Sequence, residues 1–227
     1  MGARASEPGA DSRPARNRLI ADIAWTTGLR LHEIAQLTKY QFLSLSPAPA
    51  ANVGVEHQLI VLGKGKKRRS IAVPNWVVID ALAYIDGERA KAVAATKNLK
   101  EPTQLILAGL SSRKPGAPLG QRRFQQLVEE ACLGAGLTEI HEVTDPDTGE
   151  VHARRKAKHC VHDLRHTYAV LTYWAEKLHG NPEPWKKIQA QLGHEHLKTT
   201  VDTYLHFVEI FGQPEGVNLR QVLELVT

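Results

Sequence analysis

Apolar residues in this chain recur at helical spacing far more often than they alternate, and that period bounds the fold before any single residue is weighed. Leu19, Ile20, Ile23, Ala24 and Thr27 fall on one side of a helix starting at Arg16, and Gly28 follows in the position where helices commonly end. A second helix begins at once with Leu31, Ile34 and Ala35. Residues 57–62 and 68–73 read as strands flanking Gly63-Lys64-Gly65-Lys66-Lys67, where glycine supplies the positive φ of a tight hairpin. Pro74 then opens a helix running towards Val93, since proline suits a first helical turn. Residues 104–107 suggest a short strand, and 119–135 a helix with Phe124, Leu127, Val128 and Cys132 on one side. Residues 141–158 turn at Asp145-Pro146-Asp147-Thr148-Gly149 and read as a polar hairpin. Helices are expected over 162–179, 183–192, 199–210 and 217–226. The predicted class is mainly α with a small antiparallel β-sheet, an α+β fold.

A chain of 227 residues buries one good-sized core. With 42% hydrophobic and 23% charged residues it sits near the globular average, which argues against disorder of the whole. Lys and Arg outnumber Asp and Glu by 29 to 24, compatible with a nucleic-acid partner without requiring one. Cys132 and Cys160 are too few for a disulfide framework and lack the grouping of a zinc site, so two buried, reduced thiols are expected. No stretch approaches 18 uninterrupted apolar residues and no apolar run follows the first arginines. Neither a membrane span nor a secretory signal is expected, and the expected location is cytoplasmic. Residues 1–15, rich in Gly, Ala, Pro and Ser, read as a disordered lead-in or an expression remnant, leaving 16–227 as the folded domain.

Four places carry residues suited to an anion. In the helix over 162–179, Leu164, Tyr168, Leu171, Ala175 and Leu178 fall within a sector of about 80°, with His162, Arg165 and His166 on the other side. A solvated face explains those three. Alternatively, a helix start presenting an imidazole and a guanidinium suits phosphate, because free N–H groups and the dipole there favour an anion. Arg30 stands three residues before Glu33. The two form either a surface ion pair or a guanidinium fork held by its carboxylate for bidentate phosphate contact. Lys64, Lys66, Lys67, Arg68 and Arg69 make the first hairpin either a solubilising turn or a loop reaching nucleic-acid phosphate. Finally, Leu192-Gly193-His194 precedes Tyr204. A tyrosine hydroxyl is commonly a packing or hydrogen-bonding group; among cations that stabilise its oxyanion it becomes a covalent nucleophile.

Taken in order, Thr27-Gly28-Leu29-Arg30-Leu31-His32-Glu33, Gly63-Lys64-Gly65-Lys66-Lys67, His162-Asp163-Leu164-Arg165-His166-Thr167, and Leu192-Gly193-His194 with Tyr204 resemble the tyrosine recombinase family. The resemblance runs from about residue 16 to about residue 210. It implies that family's catalytic-domain fold and a site-specific recombinase or integrase acting on duplex DNA at a core site. Arg30 and Arg165 are implied as the arginines that hold the scissile phosphate, with Glu33 supporting Arg30. Lys64 is implied as the acid that protonates the departing 5′ oxygen, and His162 and His194 as the histidines that bind phosphate and assist proton transfer. Tyr204 is the implied nucleophile, giving a 3′-phosphotyrosine. Lys66, Lys67, Arg68 and His166 are further expected DNA contacts. Because the phosphotyrosine keeps the bond energy, the resemblance implies no metal, ATP or other cofactor, and no small-molecule ligand. It also implies a homotetramer on two duplexes, associated with bacterial, phage or mobile-element DNA in the nucleoid. The family's N-terminal DNA-clamping domain is not expected within this sequence. The hairpin over 141–158, carrying Arg154, Arg155, Lys156 and Lys158, is longer than the resemblance leads one to expect.

Other readings stay open on the residues alone. A non-catalytic DNA-binding remnant or regulator derived from such an enzyme would keep its surfaces and lose its chemistry. A type IB topoisomerase shares the chemistry without site choice. A metal-dependent His-x-His nuclease is disfavoured, because Glu195 stands where that motif wants a bulky apolar residue.

Overall fold

A computed structural model of the chain describes residues 14–210, except 53, 64, 66 and 97–99. Lys64, Lys66, most of the expected lead-in and the helix expected over 217–226 lie outside the described residues. Helix α1 (Pro14–Thr27) begins two residues before the predicted start, with proline in the first turn. Leu19, Ile20, Ile23 and Ala24 are all buried, as their spacing predicts. Two short helices, α2 (Leu31–Gln36) and α3 (Lys39–Leu43), follow. Strands β1 (Glu56–Leu62) and β2 (Arg68–Pro74) pair antiparallel, with Glu56 opposite Pro74 and Leu62 opposite Arg68. Leu59 and Val61 face the core from β1, and Ile71 and Val73 from β2.

The long helix predicted from Pro74 exists with an interruption. Helix α4 (Asn75–Tyr84) widens into a π-helical turn over Ile85–Arg89 before α5 (Ala90–Ala94). Arg89 in that turn is 2% exposed and holds the carbonyls of Pro102, Gln104 and Leu105, with Glu101 as its ion-pair partner. An inward arginine is what periodicity could not foresee. Residues 104–107 form no strand: the contacts are single bridges, Thr38 to Gln104 and Leu107 to Pro118. Leu105, Ile106 and Leu107 are buried, but among the described residues no strand lies alongside to complete a ladder.

Helix α6 (Gln121–Gly134) precedes a second hairpin, β3 (Thr138–Thr144) with β4 (Val151–Ala157), which is a separate two-stranded sheet. The last described helices are α7 (Val161–Leu178), α8 (Pro184–Leu192) and α9 (Leu197–Ile210). On α7 the buried stripe differs from the predicted one. Val161, Arg165, Tyr168, Ala169, Thr172 and Ala175 are buried, whereas Leu178 is 58% exposed. Arg165 therefore lies on the packed face, not the solvated one. The expectation of two buried thiols holds for Cys132 and fails for Cys160, which is exposed just before α7.

Packing forms two clusters. The larger joins α1 to α4, both strands of the first hairpin, Leu105, Ile106 and α6. The smaller joins α7, α8 and α9 through Tyr168, Ala169, Ile188, Leu192 and Tyr204. Nine residues are too few for α8 to persist alone. Ile188 and Leu192, both fully buried, contribute about 1.5–3 kcal/mol each to holding it. No described helix is long and apolar enough to cross a membrane.

Candidate active site

The seam between the two clusters begins at Gly28, whose φ is 63°. A Cβ there would stand 2.5 Å from Leu192 Cδ2 and 2.6 Å from Tyr168 Cδ1. Only glycine lets α1 end against α7 and α8 at that distance. The Gly28 carbonyl, freed by the end of α1, accepts a hydrogen bond from Arg165 Nη1. Two residues on, Arg30 caps α2, and its backbone N–H donates to Glu33 Oε2 at 2.8 Å.

Glu33 has no side-chain exposure, and its main partner is not Arg30. Arg69 of β2 donates to it in a fork, Nη1 to Oε1 at 2.6 Å and Nη2 to Oε2 at 2.9 Å, while Arg30 Nη1 stands 3.7 Å away. Burial pushes the Glu33 carboxyl up, but the Arg69 hydrogen bonds and the Arg30 backbone N–H outweigh it, and the group titrates below the usual range. Sequence reasoning missed Arg69, one of five hairpin cations. Its parity was the available signal: residues 69, 71 and 73 share the inward face of β2.

Arg69 also reaches α8, donating from Nε to the Gln191 carbonyl at 3.1 Å. The Gln191 side chain accepts from the Ala72 N–H at 2.9 Å and donates to the Ala72 carbonyl at 2.8 Å, tying α8 to the hairpin. Helix α8 then ends at Gly193 in the left-handed region, φ 66° and ψ 42°. Its Leu192 carbonyl accepts from Arg165 Nη2 at 2.8 Å and from Arg30 Nη1 at 3.3 Å. Two guanidinium groups thus converge on the negative end of one helix dipole.

His194 follows directly. Arg165 Nη2 donates to its Nε2 at 3.1 Å, which leaves Nδ1 to carry the ring proton and donate to Thr200 Oγ1 at 2.9 Å. Burial first, then Arg165, Arg30 and Arg69, lower the His194 pKa to about 4, so the ring is neutral near pH 7. Both ring nitrogens of His194 are thus engaged inside the cluster. His194 stacks on Tyr204 with ring centroids 6.0 Å apart and planes 7° from parallel. Tyr204 is 1% exposed and stacks on the same His194 ring that accepts the Arg165 hydrogen bond.

At the start of α7, His162 lines a cleft of about 180 Å³ with Leu29, Arg30, Gln125, Cys160 and Arg165. Burial and the Arg165 charge lower its pKa too. His166 packs inward against His162, Tyr204 and Phe207 at ring distances of 4.9, 5.3 and 4.5 Å, with its Nδ1 buried and unpartnered. Among the other expected DNA contacts, Lys67 stands exposed 3.8 Å from Glu195, and Arg68 is exposed at the start of β2. Arg30, Glu33, His162, Arg165, His194 and Tyr204 are thus brought into one neighbourhood. Two arginines, Arg30 and Arg69, share one buried carboxylate there while Arg165 meets Arg30 at the Leu192 carbonyl, leaving a surplus of positive charge that favours a bound anion with several oxygens.

A family model described as the phage integrase family matches residues 3–209. The chain is 27% identical over 191 residues to the tyrosine recombinase XerC of Halalkalibacterium halodurans, covering 84% of this chain and 50% of that protein. It is 27% identical over 195 residues to the tyrosine recombinase XerH of Campylobacter jejuni, covering 85% and 41%. The chain spans about half the length of the curated relatives it matches. Among solved structures, a post-cleavage complex of the XerH site-specific recombinase bound to palindromic difH substrate aligns with a TM-score of 0.55 at 24% identity, over 90% of this chain and 44% of that one. A pre-cleavage XerH complex with difH aligns at 0.52 and 21%, over 93% and 49%. Both likenesses concern the fold.

Proposed function

Because this chain belongs to the phage integrase family, we propose that it carries out site-specific cleavage and rejoining of DNA, with Tyr204 as the nucleophile. The observation that supports this most is the meeting of Arg30 and Arg165 at one carbonyl, with Tyr204 stacked on the His194 ring that accepts from the same Arg165 guanidinium. The two guanidinium groups hold the non-bridging oxygens of a DNA phosphate and offset the charge that grows on them as phosphorus becomes five-coordinate. Tyr204 Oη attacks phosphorus, the bond to the 5′ oxygen breaks, and a 3′-phosphotyrosine forms. The neutral imidazole of His162 takes the phenolic proton, while His194, its nitrogens held by Arg165 and Thr200, positions the Tyr204 ring by stacking. Lys64 gives a proton to the leaving 5′ oxygen, a role carried over from the family pattern of the first hairpin. Attack by a partner strand's 5′ hydroxyl reverses the step and frees Tyr204, so the bond energy is conserved. Glu33 and Arg69 keep Arg30 in place, and Lys67 and Arg68 add phosphate contacts at the hairpin. On this reading the working form is a tetramer on two duplexes, acting on chromosomal or mobile-element DNA.

The test is adduct trapping on a pool of nicked duplexes with randomised sequence around the nick, at low salt and in chelator. Short fragments lost beyond the nick prevent religation. The expected result is a protein–DNA band that survives a denaturing gel for the wild-type chain and is absent for Tyr204→Phe. No band from the wild type, or a band that persists in Tyr204→Phe, sinks the proposal.

A further inference from the structure

Beyond the cleft at Arg30 and Arg165, the second hairpin carries charge that the proposed chemistry does not use. Strand β4 runs beside α6, and between them and the start of α7 opens a groove of about 400 Å³. Arg154, Arg155, Lys156 and Lys158 line it, facing one acidic side chain of α6, Glu129. Three carboxylates there pair with histidines, Glu139 with His141 at 2.6 Å, Glu150 with His152 at 3.5 Å and Asp163 with His159 at 3.5 Å, and Glu139 also lies opposite Lys156 across the hairpin. None of the four cations forms an ion pair or a side-chain hydrogen bond among the described residues. Like charges held this close repel one another, and a polyanion lying along them relieves that repulsion.

The groove is not isolated. Cys160 lines both it and the cleft that holds Arg30, His162 and Arg165. A positive track therefore runs from the two arginines past the start of α7 and along β4. Residues that serve only to solubilise a hairpin have no need to sit on the strand beside the body of the protein. On this hairpin the turn carries Asp145, Asp147 and Glu150, while the cations are confined to β4 and the residue after it.

We propose that β4 and this groove bind the phosphate backbone of the duplex flanking the cleaved position, extending the DNA footprint outward from the cleft. This rests on the DNA reading given above. Continuity with a phosphate-sized cleft favours DNA over an acidic protein surface.

The test measures affinity of the full chain between about 50 and 200 mM salt for two labelled duplexes, one long and one trimmed to cover the cleft alone. The Arg154→Ala, Arg155→Ala, Lys156→Ala, Lys158→Ala variant is compared with one that exchanges Arg for Lys and Lys for Arg at the same positions. Each phosphate contact adds about 0.9 to the slope of log affinity against log salt. The alanine variant is expected to lose about 2 to 4 from that slope on the long duplex, to bind the trimmed duplex like wild type, and to keep its thermal midpoint. The charge-keeping variant is expected to retain the wild-type slope. An unchanged slope in the alanine variant overturns the groove proposal, as does an equal loss in the charge-keeping variant. A wild type that binds neither duplex overturns the DNA reading itself, and so the two failures are distinguishable.

Discussion

Arg69 shows how one residue can decide whether a charged centre survives burial. Its fork neutralises Glu33, its Nε holds the end of α8, and its methylene stem passes close to Gly193. Arg69→Ala leaves the Glu33 carboxylate buried with Arg30 at 3.7 Å as its remaining side-chain cation. Removing one partner of a buried pair costs about 3–5 kcal/mol, and a loss in that range is expected from urea denaturation. The double variant Arg69→Ala, Glu33→Gln should recover part of it. A loss below about 1 kcal/mol would place the pair among ordinary surface ion pairs. His194 gives a second residue-scale prediction. Above pH 6.5 the ring is neutral folded and unfolded, and contributes nothing to pH dependence. Between pH 6.5 and about 4 the unfolded chain takes a proton that the folded ring refuses, so stability falls as pH drops through that window. Allowing for solvent screening of a half-buried ring, the contribution is about 1–2 kcal/mol. Glu33 adds to the decline in the same direction, since its folded carboxyl stays ionised where the unfolded one protonates. Urea midpoints taken from pH 7.5 down to 4.5 should fall more steeply for wild type than for His194→Gln. Parallel curves would remove His194 as a cause.

At the scale of elements, the hairpins and most helices were legible because each carries its own period and its own stop. Gly28 ends α1 and Gly193 ends α8, and both stand at φ near 65° as the stop signal requires. Their second role was not legible, since it depends on what lies opposite. A Cβ at Gly193 would stand 2.9 Å from Arg69 Cδ and Nε, a contact made across two elements far apart in sequence. Gly193→Ala is therefore expected to cost about 2 kcal/mol or more, combining left-handed strain with displacement of Arg69. It should also slow adduct formation in the trapping assay. A substitution costing less than about 0.5 kcal/mol would mean that the end of α8 adjusts freely. Other misreadings share a cause. The π-helical turn at Ile85–Arg89 and the inward Arg165 both bury an arginine, and apolar periodicity is blind to a buried cation whose partners are loop or helix-end carbonyls. Residues 104–107 are apolar enough for a strand but meet only single bridges.

Across the whole molecule, the candidate site is assembled from five stretches: the α1–α2 junction, β2, the start of α7, the end of α8, and α9. Elements packed in the larger cluster carry or flank Arg30, Glu33 and Arg69, and those packed in the smaller carry or flank Arg165, His194 and Tyr204. The order of the motifs made the site residues legible by resemblance. The burial of Tyr204 and the sharing of Glu33 between two arginines were not, because both arise where the clusters meet. That seam also explains why stability and chemistry should fail together in variants of Arg69 or Gly193. The most direct measurement is peptide mapping of the trapped protein–DNA adduct by mass spectrometry after nuclease and protease digestion. The expected result is a nucleotide remnant on the peptide containing Tyr204, in phosphodiester linkage to its side chain. A remnant on Tyr40, Tyr84, Tyr168 or Tyr173, or on any residue other than Tyr204, would contradict it.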